Sequence, residues 1–132
     1  MRRRVVVTGA GMVTPMGLDV ESTWKGLKES ASGVGYITLF DASEFPTKIA
    51  GEVRGLDRSA IADLEGPWED CGRNIIFAVQ AARQAVNDSG YLDSSKIDPD
   101  RVGIYLGAGE GTQDFHNFVH VIAKALNGQD EC

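Results

Sequence analysis

A helix that is apolar on most of its faces is the feature that most constrains the fold of this chain. Residues 70–89 carry small and apolar side chains well beyond a single stripe, at Ile75, Ile76, Phe77, Ala78, Val79, Ala81, Ala82, Ala85 and Val86. A surface helix shows one apolar stripe, whereas a helix of this composition packs against neighbours on several sides. We therefore expect layers of structure around it, and we expect Gly90 to end it in the left-handed conformation.

Three short segments are predicted as strands. Residues 3–7 end in a β-branched run before Thr8 and Gly9, which is typical of a strand buried on both faces in a parallel or mixed sheet. Residues 48–53 and 101–106 have similar apolar content, and each is bounded by polar or glycine residues. The alternation of strands with helices predicts an α/β fold with a mixed sheet and buried helices.

Two further helices and an irregular segment complete the prediction. Asp19 is expected to cap an amphipathic helix over residues 20–29, and Asp114 to cap a last helix whose apolar positions are Phe115, Phe118, Val119, Ile122 and Leu126. Between them, a turn is expected at residues 32–35, and residues 58–64 are compatible with a short helix. These elements are too few to cover the apolar helix. We therefore expect the 132 residues to be the N-terminal part of something larger, or to fold against a partner.

Composition and charge exclude several classes of function. The chain has 19 acidic and 13 basic side chains, and this acidic balance argues against nonspecific nucleic-acid binding. No window approaches the ~20 continuous apolar residues of a membrane span. The N-terminus lacks the pattern of a secretion signal, and two cysteines cannot form a disulfide framework. A cytoplasmic protein without membrane contact is expected.

A glycine pair after the first predicted strand invites a comparison with dinucleotide-binding loops. Gly9-Ala10-Gly11 follows the strand as such a loop would, but the third glycine is missing and the helix does not begin until about Asp19. A phosphate site of this kind needs a helix N-terminus directly after the loop. The pattern favours close packing of the glycines over a nucleotide site, and no cofactor is expected.

The cysteines and histidines give weak signals. Cys71 stands beside Glu69 and Asp70, which oppose a thiolate, so it is interpreted as a structural thiol, and Cys132 carries less information still. His116 and His120 lie one helical turn apart, but their spacing suggests no third ligand. No metal site is expected.

A glycine-rich turn follows the last predicted strand. Gly107, Gly109 and Gly111 alternate with Ala108 and Glu110. Glycines in this pattern let the backbone approach another chain or a ligand closely. The pattern alone leaves packing and a ligand site equally open.

Several motifs follow one another along the chain, beginning with residues 3–17 and 24–27 and ending with residues 101–109. Together they resemble one family, the β-ketoacyl-acyl carrier protein synthases, in their elongating, synthase II branch. Residues 3–17 and 24–27 resemble the start of these enzymes. The later matches run to about Gly111, at residues 32–37, 40–41, 45–53, 85–90 and 101–109. The resemblance implies a homodimeric thiolase fold, an αβαβα sandwich of mixed sheets and buried helices, of which residues 1–132 would be the incomplete N-terminal segment.

The resemblance also implies a chemistry. Family members transfer an acyl group from acyl carrier protein to a cysteine, decarboxylate a malonyl thioester and join the two in a Claisen condensation. Their nucleophile and histidine motifs do not occur here, so no catalytic residue is assigned, and Cys71, His116 and His120 do not take those roles. The implied substrate-pocket residues are Gly107, Gly109, Glu110 and Gly111.

Glu110 departs from the apolar residue that is usual in the elongating enzymes, which argues against a long saturated acyl chain. A noncatalytic module similar to a ketosynthase or a chain-length factor is the alternative function.

Overall fold

The computed structural model describes residues 4–56, 58–63, 72–93 and 97–109, together with residues 119 and 123. Within these ranges there are two α-helices, α1 (Val20–Lys28) and α2 (Arg73–Asp88), and two strands, β1 (Val34–Tyr36) and β2 (Ile49–Gly51). Short 3₁₀ turns cover Arg58–Ile61, Tyr91–Asp93 and Pro99–Arg101. Of the last predicted helix, which begins after Asp114, only Val119 and Ala123 are described, and both are helical.

Helix α1 begins where the sequence predicts. The Asp19 side chain accepts a hydrogen bond of 2.7 Å from the Ser22 backbone N–H and one of 2.6 Å from its hydroxyl. These bonds lower the pKa of Asp19 and satisfy a free donor of the first turn. On its inner face, the hydroxyl oxygen of buried Thr23 lies 3.0 Å from that of Thr14, so the helix is fastened to the tight turn at residues 14–17.

Strands β1 and β2 form an antiparallel pair in which Val34 lies opposite Gly51 and Tyr36 lies opposite Ile49. The strand predicted at residues 48–53 is confirmed in its central part. The turn predicted at residues 32–35 is wrong over Val34 and Gly35, which lie in β1. Pairing with β2 supplies backbone hydrogen bonds that outweigh the local turn tendency of the glycine.

The core lies between the irregular segment and α2. Leu56, Ile61 and Ile76 are buried against one another, and the partly buried side chains around them are Val13, Leu18, Val53, Phe77 and Val79. The short helix anticipated within residues 58–64 is present as the 3₁₀ turn Arg58–Ile61, which brings the fully buried Ile61 into this cluster. Helix α2 ends as predicted, with Gly90 at φ 63°.

Helix α2 is less enclosed than its sequence predicts. Within it only Ile76 is buried, while Ile75 is 39 % exposed. Packing on several sides is not seen among the described residues, which agrees with the expectation that these elements are too few to cover the helix. The physical reason is that residues 9–13 and the 3₁₀ turn cover one side of α2, and no described sheet covers the others.

The strands predicted at residues 3–7 and 101–106 are absent from the described structure. Val5 is 93 % exposed and Tyr105 is 97 % exposed, and neither segment is paired with a neighbour. The sheet that is described has two antiparallel strands, so the expected mixed sheet is not seen in these ranges. A strand needs a partner to complete its hydrogen bonds, and apolar sequence alone does not provide one.

The residues that follow the first segment lie near the second segment, beside α2. A cleft of about 280 Å³ is lined by Thr8 and Gly9 on one side and by residues 102–104 on the other, with Ala85, Val86, Ser89 and Tyr91 also lining it.

No helix in the described part of the chain is long and apolar enough to cross a membrane.

Candidate functional site

The glycine-rich turn at residues 107–111 is only partly described. Gly107 and Gly109 are exposed, and a Cβ atom added at either would meet no atom within 4 Å. Glu110 and Gly111 lie outside the described residues. The described half of the turn is therefore an open backbone with room for a ligand or another segment, and it follows the exposed apolar side chains of Ile104, Tyr105 and Leu106.

The glycine pair near the N-terminus has a packing role. A Cβ atom on Gly9 would fall on the carbonyl oxygen of Ala85, and one on Gly11 would fall on that of Ala81. Two residues of extended chain span about 6–7 Å, and four residues of an α-helix rise by ~6 Å. Because these lengths are similar, every second residue of the extended segment lies beside every fourth residue of α2. Glycine at residues 9 and 11 lets the segment lie against the helix backbone.

The same match in spacing places two polar side chains of α2 on this segment. The Ala10 N–H donates to the Asp88 carboxylate at 3.0 Å, and the Met12 N–H donates to the Gln84 side-chain oxygen at 3.1 Å. The Gln84 side-chain nitrogen also donates to the Leu18 carbonyl oxygen at 2.7 Å. These backbone donors are occupied within the protein, and a dinucleotide loop would instead offer them to a pyrophosphate. The interpretation of the glycine pair as a packing motif is confirmed.

A groove of about 540 Å³ separates α1 from α2 at this point. Trp24, which is 59 % exposed, lines it together with Glu21, Asp88 and the neighbouring residues Ala10, Asp19, Val20, Gln84 and Asn87. Gln84, which lines the groove, accepts a hydrogen bond from the residue 12 N–H and donates one to the residue 18 carbonyl oxygen. These bonds hold the chain next to the groove against α2.

A buried carboxylate joins the hairpin to the loop after β1. Glu52 is 7 % exposed and accepts hydrogen bonds from the Thr38 N–H (2.9 and 3.1 Å), the Thr38 hydroxyl (2.8 Å) and the Leu39 N–H (3.1 Å). Arg54 adds a longer contact of 3.5 Å. The bonds from the Thr38 N–H and hydroxyl, reinforced by Leu39 and Arg54, hold the pKa of Glu52 at about 2, below its ordinary value. Glu52 is not among the candidate residues predicted from the sequence, although a glutamate between Gly51 and Val53 in a predicted strand is a signal for a satisfied buried charge.

An apolar cleft of about 260 Å³ lies beside this carboxylate. Phe40 and Phe77 line it, together with Ile37, Leu39, Ala50, Gly51, Glu52, Val53 and Arg73. Arg73 is already engaged there, since its guanidinium lies 5.3 Å from the centre of the Phe77 ring and donates to the Val53 carbonyl oxygen at 2.7 Å. The lining of the cleft is therefore mainly apolar, and the Arg73 guanidinium is already bound to neighbouring protein groups.

The sequence candidates for nucleophile and metal ligand fall elsewhere. Cys71, Cys132, His116 and His120 all lie outside the described residues. Among the residues that are described, no group of three His, Cys, Asp or Glu side chains is placed to hold a metal ion.

Comparison with known proteins decides the family. The family described as "Beta-ketoacyl synthase, N-terminal domain" matches residues 2–129. The chain belongs to this family. Its β-ketoacyl synthase character agrees with the ordered motifs at residues 3–17, 45–53 and 85–90, so the resemblance stated from the sequence is confirmed.

Curated relatives of this β-ketoacyl synthase segment are named as 3-oxoacyl-[acyl-carrier-protein] synthases. The "3-oxoacyl-[acyl-carrier-protein] synthase 2" of Coxiella burnetii is 44% identical over 83% of this chain and 26% of its own length. The corresponding synthase 2 of Synechocystis is 38% identical over the same shares, and a chloroplastic synthase I of Hordeum vulgare is 36% identical over 83% of the chain and 24% of its own length. The chain therefore spans about a quarter of the length of these relatives.

A solved structure supports the fold of the β-ketoacyl synthase segment. "The ishigamide ketosynthase/chain length factor" is 32% identical, and the match covers 98% of this chain and 31% of that chain with a TM-score of 0.70. The described helices and hairpin thus adopt an arrangement that occurs within a ketosynthase/chain length factor structure, even though the described sheet is small.

Proposed function

We propose that this chain is the N-terminal part of an elongating β-ketoacyl-acyl carrier protein synthase with a thiolase-like αβαβα architecture. The observation that carries the proposal is the identity of 38–44% with synthase 2 proteins over 83% of the chain. The complete enzyme would work in the cytoplasm as a homodimer and receive its acyl and malonyl groups from acyl carrier protein in fatty-acid or polyketide synthesis.

In the proposed reaction, a cysteine thiolate takes the acyl group from its carrier, and the carrier thiol leaves. The malonyl thioester then loses carbon dioxide, and the resulting enolate attacks the acyl-cysteine thioester to form a carbon–carbon bond. The cysteine departs as thiolate, so no oxidant, metal or further cofactor is consumed. Residues 1–132 contain no nucleophile motif of the family, so we assign them fold, dimer contact and one wall of the acyl pocket.

The pocket wall is assigned to the glycine-rich turn. Gly107 and Gly109 support this assignment because their backbone is open and bears no side chain that would fill the adjacent space. Glu110 then stands where the resembled enzymes usually carry an apolar residue. An unpaired carboxylate beside an alkyl chain costs several kcal/mol or must be protonated. The proposal therefore favours short or polar acyl chains as substrates.

The activity is tested with a longer protein that carries this chain as its N-terminal part. Incubated with acyl- and malonyl-carrier protein, it should yield the β-ketoacyl-carrier protein, detected by mass spectrometry. The 132-residue chain alone should yield none, because it supplies no nucleophile. Condensation by the chain alone would overturn the division of roles, and a folded but inactive longer protein would overturn the assignment as a synthase.

The substrate class is tested with Glu110→Leu in that longer protein. Removing the carboxylate should raise kcat/KM for a long saturated acyl chain, relative to a short one, by about tenfold or more, which corresponds to ~1.4 kcal/mol. Glu110→Gln, which keeps the size but removes the charge, should give a smaller change. An unchanged ratio in both variants would show that Glu110 does not face the acyl chain.

A noncatalytic partner subunit is the second candidate. It is supported, though not above the first candidate, by the match to a solved structure whose name includes a chain length factor beside a ketosynthase. The sequence that follows residue 132 in a longer polypeptide separates the two candidates. A downstream motif of the Thr-Ala-Cys-Ser type with two later histidine motifs would support the enzyme, and their absence would support the partner subunit.

A further inference from the structure

We draw no further inference here: the strongest candidate, the groove of about 540 Å³ between α1 and α2 that Trp24 lines beside Glu21 and Asp88, carries none because nothing in the structure shows what covers it.

Discussion

At the scale of single residues, Ser30 adopts a backbone conformation that usually belongs to glycine. It follows α1 with φ 55°, its N–H donates to the Leu27 carbonyl oxygen at 3.2 Å, and the next N–H, of Ala31, donates to that of Gly26 at 2.9 Å. This pair of bonds is the Schellman ending of a helix, in which the left-handed residue is most often glycine. A side chain in this conformation costs roughly 1–2 kcal/mol.

Ser30→Gly should therefore stabilise the chain. We expect the free energy of unfolding to rise by about 0.5–1 kcal/mol. The steric cost that serine bears in the left-handed conformation is larger than the cost of ordering a more flexible glycine on folding. The measurement is thermal unfolding followed by far-ultraviolet circular dichroism. Lys25→Gly is the matched control, because the same kind of change at an exposed position inside α1 should destabilise by about 1 kcal/mol. Equal effects of the two substitutions would contradict the assigned role of Ser30.

Glu52 shows how one carboxylate can fix a loop. Its hydrogen bonds join β2 to residues 38 and 39, and all of its bonds favour the ionised form. Its pKa of about 2 in the folded protein lies below the ordinary value of 4.5. Its contribution to stability is therefore fully present above pH 4.5 and is lost as the pH falls through 2.

Glu52→Gln should lower the unfolding midpoint at neutral pH, because an amide accepts fewer hydrogen bonds and presents a donor to the backbone N–H groups. The difference from the unaltered protein should shrink below pH 4.5 and vanish near pH 2. Unfolding midpoints across this range provide the measurement. Glu44→Gln, at an exposed position of the same irregular segment, is the control and should change the midpoint little. A pH-independent difference for Glu52→Gln would refute the electrostatic explanation.

At the scale of elements, the contact between residues 9–12 and α2 depends on the absence of two side chains. Gly9 and Gly11 lie over the backbone of Ala85 and Ala81. The N–H groups of the residues that follow each glycine, Ala10 and Met12, donate to Asp88 and Gln84. The close approach also makes the hydrogen bonds possible. If the segment lay further from α2, its two N–H donors would be too far from the acceptor side chains to form them.

Gly11→Ala should therefore destabilise the chain strongly. A Cβ atom there would meet helix backbone, which cannot move aside as a flexible side chain would. We expect a loss of about 3 kcal/mol, at the upper end of the usual cost of overpacking, in urea unfolding. Gly107→Ala is the control, because its added Cβ would meet nothing within 4 Å. If Gly11→Ala were tolerated as well as Gly107→Ala, the close packing of the segment on α2 would be disproved.

Elements set by local chemistry were predictable from sequence. Asp19 starts α1 and Gly90 ends α2 because capping depends on a few neighbouring residues. The predicted strand at residues 3–7 was not recovered, since the pattern gives a tendency to extend but no partner. The bonds from Gln84 to residues 12 and 18 could not be predicted either, because they join positions 66 to 72 residues apart.

At the scale of the whole molecule, two runs of three consecutive apolar residues lie strongly exposed in the described part of the chain. Val5, Val6 and Val7 are between 69 % and 93 % exposed, and Ile104, Tyr105 and Leu106 are between 79 % and 97 % exposed. Contiguous apolar surface of this kind marks an interface. The matched relatives are about four times longer than the matched segment, and the proposed architecture encloses such segments within a sheet covered by helices.

The sequence by itself determined the family, the limits of α1 and the left-handed end of α2, because these depend on ordered motifs and on residues close together in the chain. Only the tertiary structure decided that Gly9 and Gly11 pack on the backbone of Ala85 and Ala81. It also decided that Glu52 is a buried carboxylate bound to the Thr38 and Leu39 N–H groups, and that residues 5–7 and 104–106 lie exposed and unpaired. The physical reason is that burial and pairing are properties of two surfaces in contact, and a sequence pattern describes only one of them.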